Sequence, residues 1–428
     1  MFELGALLVV FMVLLILGVP VAFALGAAAA GVMAFAFDLP LASIAGRAID
    51  GVNAWIWLGV VLFIMAGNAM NGSGGTRAIV NLSQVAVGHI AGALSLVAVL
   101  TNTLMAGMSG SIIADAAAVG TFMVQPMKKA GYAPGYCAAI ISTSSIIGPL
   151  IPPSVPLIII GTVTGTSIVR LWLGGAIPGF IVSCLLITAS YFLSKRRGYR
   201  QSAERASLER VGKSLLKALP ALIVPVVIIG GMRAGIITPT EGGAVAAIYI
   251  MLCGLFVYRG FDLKGVVQVF IDSARHCGAI MWIIAMGILF SVAVALTQSC
   301  EALTNFFISF CPNPQIFLAL TVLFLLFLGF FLDIMPMMLI FAPLLTPIAS
   351  TYGINPVHFC VLFCYTALVG QFTPPNGVVM YMLCDMANCS IEDYFREGWL
   401  FVVILIAGAF LLAFYPAPVL WLPDLIMQ

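Results

Sequence analysis

The sequence predicts an all-α, polytopic integral membrane protein with two inverted-topology repeats, each containing a re-entrant hairpin and a broken helix. Three observations support this fold class: the composition, the distribution of basic residues and an internal repeat. Of the 428 residues, 62% are hydrophobic and 8% are charged, whereas soluble domains carry roughly 25% charged residues. The mean hydropathy is +1.16, and the chain contains many stretches of the roughly 20 apolar residues that cross a bilayer. The composition excludes a soluble domain and makes the lipid bilayer a partner.

The basic residues are unevenly distributed, and their distribution predicts the orientation in the membrane. Eight of the 18 Lys and Arg residues lie in the segment 195–217, and positively charged loops remain in the cytoplasm. A second basic loop at 259–275 follows two apolar segments, 218–237 and 241–258. Two crossings return the chain to the same side, so both loops are predicted to be cytoplasmic. The net charge of +2 is too small to indicate nucleic acid as a partner.

An internal repeat is present at an offset of 222 residues, the separation of Gly148 from Gly370. The Gly and Pro-Pro positions of 148–153 recur at 370–375, and the Gly-x-x-Pro of 131–134 recurs at 353–356. Two basic residues, Lys128 and Lys129, stand just before the first Gly-x-x-Pro, and the matching positions 350–352 before the second are not basic. The positive-inside rule therefore places the two turns on opposite sides of the membrane, as expected for an inverted repeat.

The number of crossings agrees with an inverted repeat only if 91–127 and 314–350 are re-entrant hairpins. Each would enter and leave the membrane at the same face. Each also has a break rich in Gly, Ser or Asp near its middle, around 107–115 and 329–336. Together with the interruptions in the two broken helices, these breaks are the candidate functional positions.

Irregular backbone at membrane depth must be buried in protein or line a wet cavity. Proline removes an amide donor and interrupts the helical hydrogen bonds, so the Pro-Pro pairs at 152–153 and 374–375 leave carbonyl oxygens free. Carbonyl and hydroxyl oxygens suit a hard cation, and half-helix N-termini suit a carboxylate. Two repeats therefore predict two related cation sites beside a central solute site, which indicates a transport protein.

Each break also has a structural interpretation. Small residues such as Ser109, Ser111 and Ser145 often serve close packing between membrane helices. Asp115 and Asp333 are ionisable residues at membrane depth, which are costly and usually functional. The alternative is a purely hydrogen-bonded structural role for each carboxylate.

Several motifs occur in order along nearly the whole chain and resemble one family. The sequence is similar to the large membrane subunit of TRAP transporters, the tripartite ATP-independent periplasmic transporters. The stretches that carry the resemblance are 71–77 (NGSGGTR), 107–115 (GMSGSIIAD), 147–154 (IGPLIPPS), 238–247 (TPTEGGAVAA), 333–336 (DIMP), 355–359 (NPVHF) and 373–375 (TPP). The family commonly has Val-Gly after the second Pro-Pro pair, and this chain departs from it with Asn376-Gly377.

The resemblance implies an elevator-type transporter of the bacterial inner membrane rather than an enzyme. It implies sodium-coupled uptake of an organic acid, with sialic acid favoured and a C4-dicarboxylate next. The implied partners are a periplasmic substrate-binding protein and a separate small membrane subunit of four helices. Na⁺ is the implied coupling ion, and no other cofactor is implied.

The resemblance also implies ligand residues and five regions. The implied sodium ligands are Ser109, Gly110, Ser111, Ser145, Gly148, Pro149, Pro152, Gly329, Asp333, Met335, Thr366, Gly370, Thr373 and Pro374. The implied substrate contacts are Ser109, Ser111, Asp115, Pro153, Ser154, Asp333, Pro375 and Asn376. The regions are N-terminal scaffold helices (1–77), a first transport region (78–170), scaffold helices with the basic loop (171–300), a second transport region (301–397) and a C-terminal scaffold helix (398–428).

Three other functions remain open at this point. A self-sufficient Na⁺/carboxylate symporter of similar architecture would need neither the binding protein nor the small subunit. A membrane-embedded hydrolase could use Asp115 and Asp333 as a dyad, although neither lies in a protease motif. A non-transporting scaffold subunit is the third alternative. The chain has no P-loop motif, so nucleotide hydrolysis is not indicated.

Overall fold

The computed structural model describes residues 2–199, 205–298, 304, 307 and 309–427, and for Ser109 it describes the backbone alone. Parts of the predicted basic segment 195–217 and of the predicted region 301–397 lie outside these residues. Within the described residues, all regular secondary structure is helical. Seven of the described helices are long and apolar enough to cross a membrane, which confirms the predicted fold class.

The first four helices precede the repeats. The N-terminal apolar segment 2–36 forms two short helices. Gly18 has a left-handed backbone with φ of +80°, and Pro20 directly precedes the second helix. The helices are α1 (Phe2–Ile16), α2 (Val21–Phe35), α3 (Leu41–Val52) and α4 (Ile56–Ser73).

The first repeat and the helices that follow it occupy the middle of the chain. Its predicted hairpin falls on α6 and α7, and its broken helix on α8 and α9. The helices are α5 (Gly75–Val87), α6 (Ala93–Ser109), α7 (Ile112–Lys129), α8 (Pro134–Ser144), α9 (Val155–Thr164) and α10 (Ile168–Arg197). They are followed by α11 (Leu208–Arg233), α12 (Pro239–Leu252) and α13 (Leu263–Leu296).

The second repeat has the same order of elements. Its predicted hairpin falls on α14 and α15, and its broken helix on α16 and α17. The helices are α14 (Pro314–Gly329), α15 (Ile334–Thr351), α16 (Pro356–Val369), α17 (Val378–Ala387), α18 (Ile391–Phe414) and α19 (Ala417–Ile426). In both repeats a short 3-10 turn follows the first half of the broken helix, at Ser145–Ile147 and Gly370–Phe372.

Two side-chain contacts bring non-equivalent ends of the two repeats to one face. The Lys128 ammonium at the end of α7 donates to the carbonyl oxygen of Ala387 at the end of α17, at 2.7 Å. Arg197 at the end of α10 forms an ion pair with Glu397 near the start of α18. The first broken helix therefore starts at this basic face and the second one ends there, so the two run in opposite directions.

The two repeats interlock through their broken helices. The second half of the first broken helix, α9, packs on α15 and α16 of the second repeat. The second half of the other broken helix, α17, packs on α7 and α8 of the first repeat. This exchange buries the interrupted backbone of the first broken helix in protein, whereas the Pro-Pro pair of the second one stays exposed. The division of the chain into scaffold and transport regions stays a prediction.

Helices α8 and α18 pack so closely that the contact requires glycine, as at Gly398. A Cβ placed on Gly398 would lie 2.1 Å from the Cβ of Ala139, which has no rotatable bond with which to move away. We expect Gly398→Ala to lower the free energy of unfolding by about 1–3 kcal/mol through overpacking. The matched control is Gly278→Ala in α13, where no atom lies within 4 Å of the added carbon. Thermal unfolding of both purified variants tests this, and equal midpoints would contradict it.

Candidate functional site

Each hairpin turns at a residue that caps the N-terminus of its second helix. Ser111 caps α7 and accepts a hydrogen bond from the Ala114 amide at 3.4 Å. Asp333 caps α15 and accepts one from the Ile334 amide at 2.8 Å. Ser111 and Asp333 are separated by the repeat offset of 222 residues, so their positions are equivalent. Both hairpins thus place an oxygen-bearing side chain at a half-helix N-terminus, whose partial positive charge favours an anion.

The second hairpin meets the second broken helix through two glycines. A Cβ placed on Gly329 would lie 2.8 Å from the Cα of Gly370, so a larger residue would force the backbones apart. This close approach brings the break to the hairpin turn, where Nε2 of Gln371 donates to Oδ1 of Asp333 at 2.6 Å. Gln371 is 1% exposed, and its Oε1 is buried without a hydrogen-bond partner. A buried acceptor without a partner is costly, so this oxygen is suited to a cation.

Three further predicted ligands of the second site differ in their surroundings. Thr373 is half-buried, and its hydroxyl donates to the carbonyl oxygen of Gly370 at 3.1 Å. Thr366 is fully buried, and its hydroxyl donates to the Leu362 carbonyl oxygen in its own helix at 2.8 Å. Met335 is half-buried in the first turn of α15. Thr373 therefore borders the break directly, whereas Thr366 lies within α16.

The second Pro-Pro pair lies at a more open position. Pro374 and Pro375 are exposed, and Asn376 is half-buried. The Nδ2 of Asn376 is buried without a hydrogen-bond partner, so its amide is suited to a polar ligand. The Pro374–Pro375 peptide bond is cis, as is the bond between Pro152 and Pro153.

The first site is built around a buried carboxylate. Asp115 lies one turn into α7 and is 0% exposed. A Cβ placed on Gly148 would lie 2.0 Å from Oδ2 of Asp115, so the carboxylate reaches the break because position 148 is glycine. The hydroxyl of Ser145, in the adjoining 3-10 turn, donates to the Ser142 carbonyl oxygen at 2.7 Å. Asp115 and the first broken helix are therefore in direct contact.

The turn of the first hairpin packs against the first Pro-Pro pair. Gly110 has φ of +58°, and a Cβ there would lie 3.0 Å from the Pro153 carbonyl oxygen and 3.1 Å from the Val155 amide nitrogen. On α6, a Cβ placed on Gly107 would lie 3.4 Å from the carbonyl oxygen of Pro152. The backbone of the first hairpin therefore lies directly against the backbone of the first broken helix. The side chain of Ser109 lies outside the described part of the structure.

Ser154 holds the interrupted backbone closed. Its hydroxyl donates to the carbonyl oxygen of Pro149 and accepts from the amide of Leu157 at 3.2 Å, which caps α9. The indole of Trp172 donates to the Ser154 carbonyl oxygen at 3.1 Å. Ser154 is fully buried. Its hydroxyl and carbonyl oxygens are therefore already engaged in hydrogen bonds within the protein.

Two buried amides at the breaks were not among the predicted ligands. Gln371 follows Gly370 directly and contacts Asp333. Asn102 on α6 is 0% exposed and donates to Ser144 Oγ at 2.7 Å, while its Oδ1 is buried without a partner. The available signal was a polar amide within an apolar segment. A single amide is a weaker indication of a site than Gly and Pro positions that recur in both repeats.

The arrangement within each repeat joins a hairpin turn, a half-helix N-terminus and the interrupted backbone of a broken helix. Carboxylate, amide and carbonyl oxygens converge there, and such hard donors fit Na⁺ better than a softer metal. Discontinuous helices in an inverted pair, with their ends meeting at membrane depth, define a secondary-transporter architecture. The roles of the individual predicted ligands stay predictions.

Comparison with known proteins specifies this class. Residues 8–418 match the family model described as the tripartite ATP-independent periplasmic transporter, DctM component. The chain is 36% identical to the sialic acid TRAP transporter large permease protein SiaM of Vibrio cholerae, over 97% of both chains. It is 30% identical to the C4-dicarboxylate TRAP transporter large permease protein DctM of Pseudomonas aeruginosa, over 89% of both chains. The protein belongs to the DctM family of TRAP transporter large permeases.

A solved structure supports the fold independently. The YdaH transporter of Alcanivorax borkumensis superposes with a TM-score of 0.66 over 88% of this chain and 89% of its own, at 14% identity. The family membership makes this chain a multi-pass protein of the bacterial inner membrane and a transporter permease rather than an enzyme.

The contact between Asp115 and Gly148 makes a prediction about stability. We expect Gly148→Ala to destabilise the protein by about 1–3 kcal/mol, because the added methyl group displaces the carboxylate. In an Asp115→Ala background the same change should cost at least about 1 kcal/mol less, since the clashing oxygen is gone. Thermal unfolding of the four proteins of this double-mutant cycle measures the difference. An equal loss in both backgrounds would show that the carboxylate does not occupy this position.

Proposed function

We propose that this protein is the sodium-coupled large permease of an organic-acid uptake system that works by an elevator mechanism. The observation that carries the proposal is the equivalence of Ser111 and Asp333, two N-cap residues at hairpin turns that face broken helices. One repeat alone would provide one ion site, and the duplicated arrangement provides two with a solute site between them. This explains why both repeats keep an interrupted helix.

The second site supports sodium as the coupling ion. Asp333 and the free Oε1 of Gln371 would hold the ion, together with the Gly329 carbonyl oxygen, which lies 3.1 Å from a Cβ placed on Gly370. The side-chain carboxylate supplies a negative charge, and the amide and carbonyl supply neutral oxygen ligands. Because Na⁺ would bind together with the solute, the Na⁺ gradient would drive uptake.

In the first site, Ser111, Asp115 and the backbone at Gly148 would hold a second ion. Here the carboxylate lies one turn inside α7 rather than at its N-cap. The two sites therefore place their negative charges at different depths behind the hairpin turns. Asn376, with its free amide nitrogen, is the proposed polar contact for the solute at the more open Pro-Pro pair.

The relatives support an organic acid as the solute. The name of one relative specifies sialic acid and that of another a C4-dicarboxylate, and both solutes carry carboxylates. The half-helix N-termini at the hairpin turns would favour such an anion. We propose sialic acid first, because the sialic acid permease is 36% identical and the C4-dicarboxylate permease 30%.

The family and its names support two protein partners. The family is described as tripartite, and the relatives are named large permease proteins. We propose that a small four-helix membrane subunit completes the permease and that a periplasmic binding protein delivers the solute. In the elevator mechanism, the interlocked hairpins and broken helices would move as one unit against the remaining helices.

The uptake prediction concerns radiolabelled sialic acid in proteoliposomes that contain this chain with its small partner. We expect uptake only with an inward Na⁺ gradient and with the sialic acid-loaded binding protein outside. The same vesicles tested with a C4-dicarboxylate and its binding protein separate the two solutes. Uptake that persists without Na⁺, or without the binding protein, would contradict the corresponding part of the proposal.

A second prediction assigns the ion ligands. We expect Asp333→Asn to raise the Na⁺ concentration for half-maximal uptake by about 10-fold or more, because a charged partner contributes roughly 1.5–3 kcal/mol. Ser111→Ala should lower sodium-driven uptake as well. The matched control is Asp424→Asn, an exposed carboxylate in α19. Unchanged sodium dependence in both site variants, with normal membrane insertion, would show that these residues are not ligands.

A further inference from the structure

A polar cavity lies between α5 and the first turns of α11, away from both candidate sites. Its volume is about 330 Å³, the space of about ten water molecules. Among the described residues that line it, none is acidic. The lining residues are Ala78, Asn81, Gln84, Val85, Ala206, Arg210, Ser214 and Lys217.

Two cations, Arg210 and Lys217, face this cavity. Among the described residues, no acidic side chain lies within 4.0 Å of the charged groups of Arg210 and Lys217. Lys213, between them on α11, forms an ion pair with Glu209 at 2.5 Å and does not line the cavity. The helix therefore directs two free positive charges to the cavity and neutralises a third elsewhere.

The face of α11 opposite to the cavity is apolar and exposed, which indicates that this part of the helix meets the bilayer. Four leucines on the same part of α11 are exposed, by 90%, 46%, 68% and 45% respectively: Leu208, Leu215, Leu216 and Leu219. Helix α5 packs on α6 and α11 and presents Asn81 and Gln84 to the cavity. Exposed leucines beside basic residues are typical of a membrane interface, where long cationic side chains reach the headgroups. The basic segment places this interface on the cytoplasmic side.

We propose that this cavity binds the phosphate headgroup of an anionic phospholipid of the cytoplasmic leaflet. Arg210 and Lys217 would neutralise the phosphate, and Asn81, Gln84 and Ser214 would donate hydrogen bonds to the headgroup oxygens. Basic pockets between membrane helices on the cytoplasmic side suit such headgroups. The exposed leucines on the opposite face of α11 place the cavity at the level of the bilayer surface, which favours a lipid headgroup over a soluble phosphate.

Native mass spectrometry of the purified full-length chain, titrated with phosphatidylglycerol or phosphatidylcholine, tests the proposal. We expect the wild-type protein to retain phosphatidylglycerol in preference. The double variant Arg210→Gln/Lys217→Gln should bind it about 30-fold more weakly, the effect expected for two basic residues at a membrane surface. Lys213→Gln removes one charge from the same helix outside the cavity and should bind like the wild type.

Further variants keep the test independent of folding. Arg210→Lys/Lys217→Arg preserves both charges and should retain the lipid, whereas Asn81→Leu removes a cavity amide without a change of charge and should weaken retention. Equal retention by the double variant and the Lys213→Gln control would overturn the proposal. So would an absence of preference between the two lipids. Displacement of phosphatidylglycerol by millimolar inorganic phosphate would assign the cavity to a soluble phosphate instead.

Discussion

Backbone amides and carbonyls have no water to bind within the hydrocarbon core, and this constraint governs the architecture of the protein. A helix that breaks at membrane depth leaves such groups exposed to lipid unless other parts of the protein cover them. Both broken helices therefore pack against a hairpin of the same repeat and interlock with the other repeat. Ser154 closes the first break by bonding to Pro149 and Leu157. Glycines make the remaining contacts, because only they allow backbones to approach so closely.

The same constraint concentrates polar groups of the membrane-spanning region at the two breaks. Where each hairpin turn contacts the break, a carboxylate lies at the contact, buried in the first repeat and half-buried in the second. In the first repeat that carboxylate is Asp115, held against Gly148, and in the second it is Asp333, bonded to Gln371. The repeats share an architecture, but the acidic residue stands at different positions in them.

The cytoplasmic surface follows a second physical rule, the attraction of basic residues to anionic headgroups. The positive charges that orient the chain also differ among themselves in their local use. Arg197 pairs with Glu397 between the two repeats, Lys213 pairs within its own helix, and Arg210 and Lys217 face a polar cavity. The orientation of the chain depends only on the number of basic residues in a loop. A binding site depends on where each of these charges lies in three dimensions.

The sequence by itself determined the membrane class, the repeat and the positions of the four breaks, because hydropathy, Gly and Pro act locally along the chain. It also indicated Ser111 and Asp333, since polar residues are rare in apolar segments. Only the tertiary structure decided that both positions are N-caps and that Gln371 meets Asp333. These contacts depend on how the hairpins pack against the broken helices. That packing joins residues that lie far apart in the chain, and no local pattern specifies it.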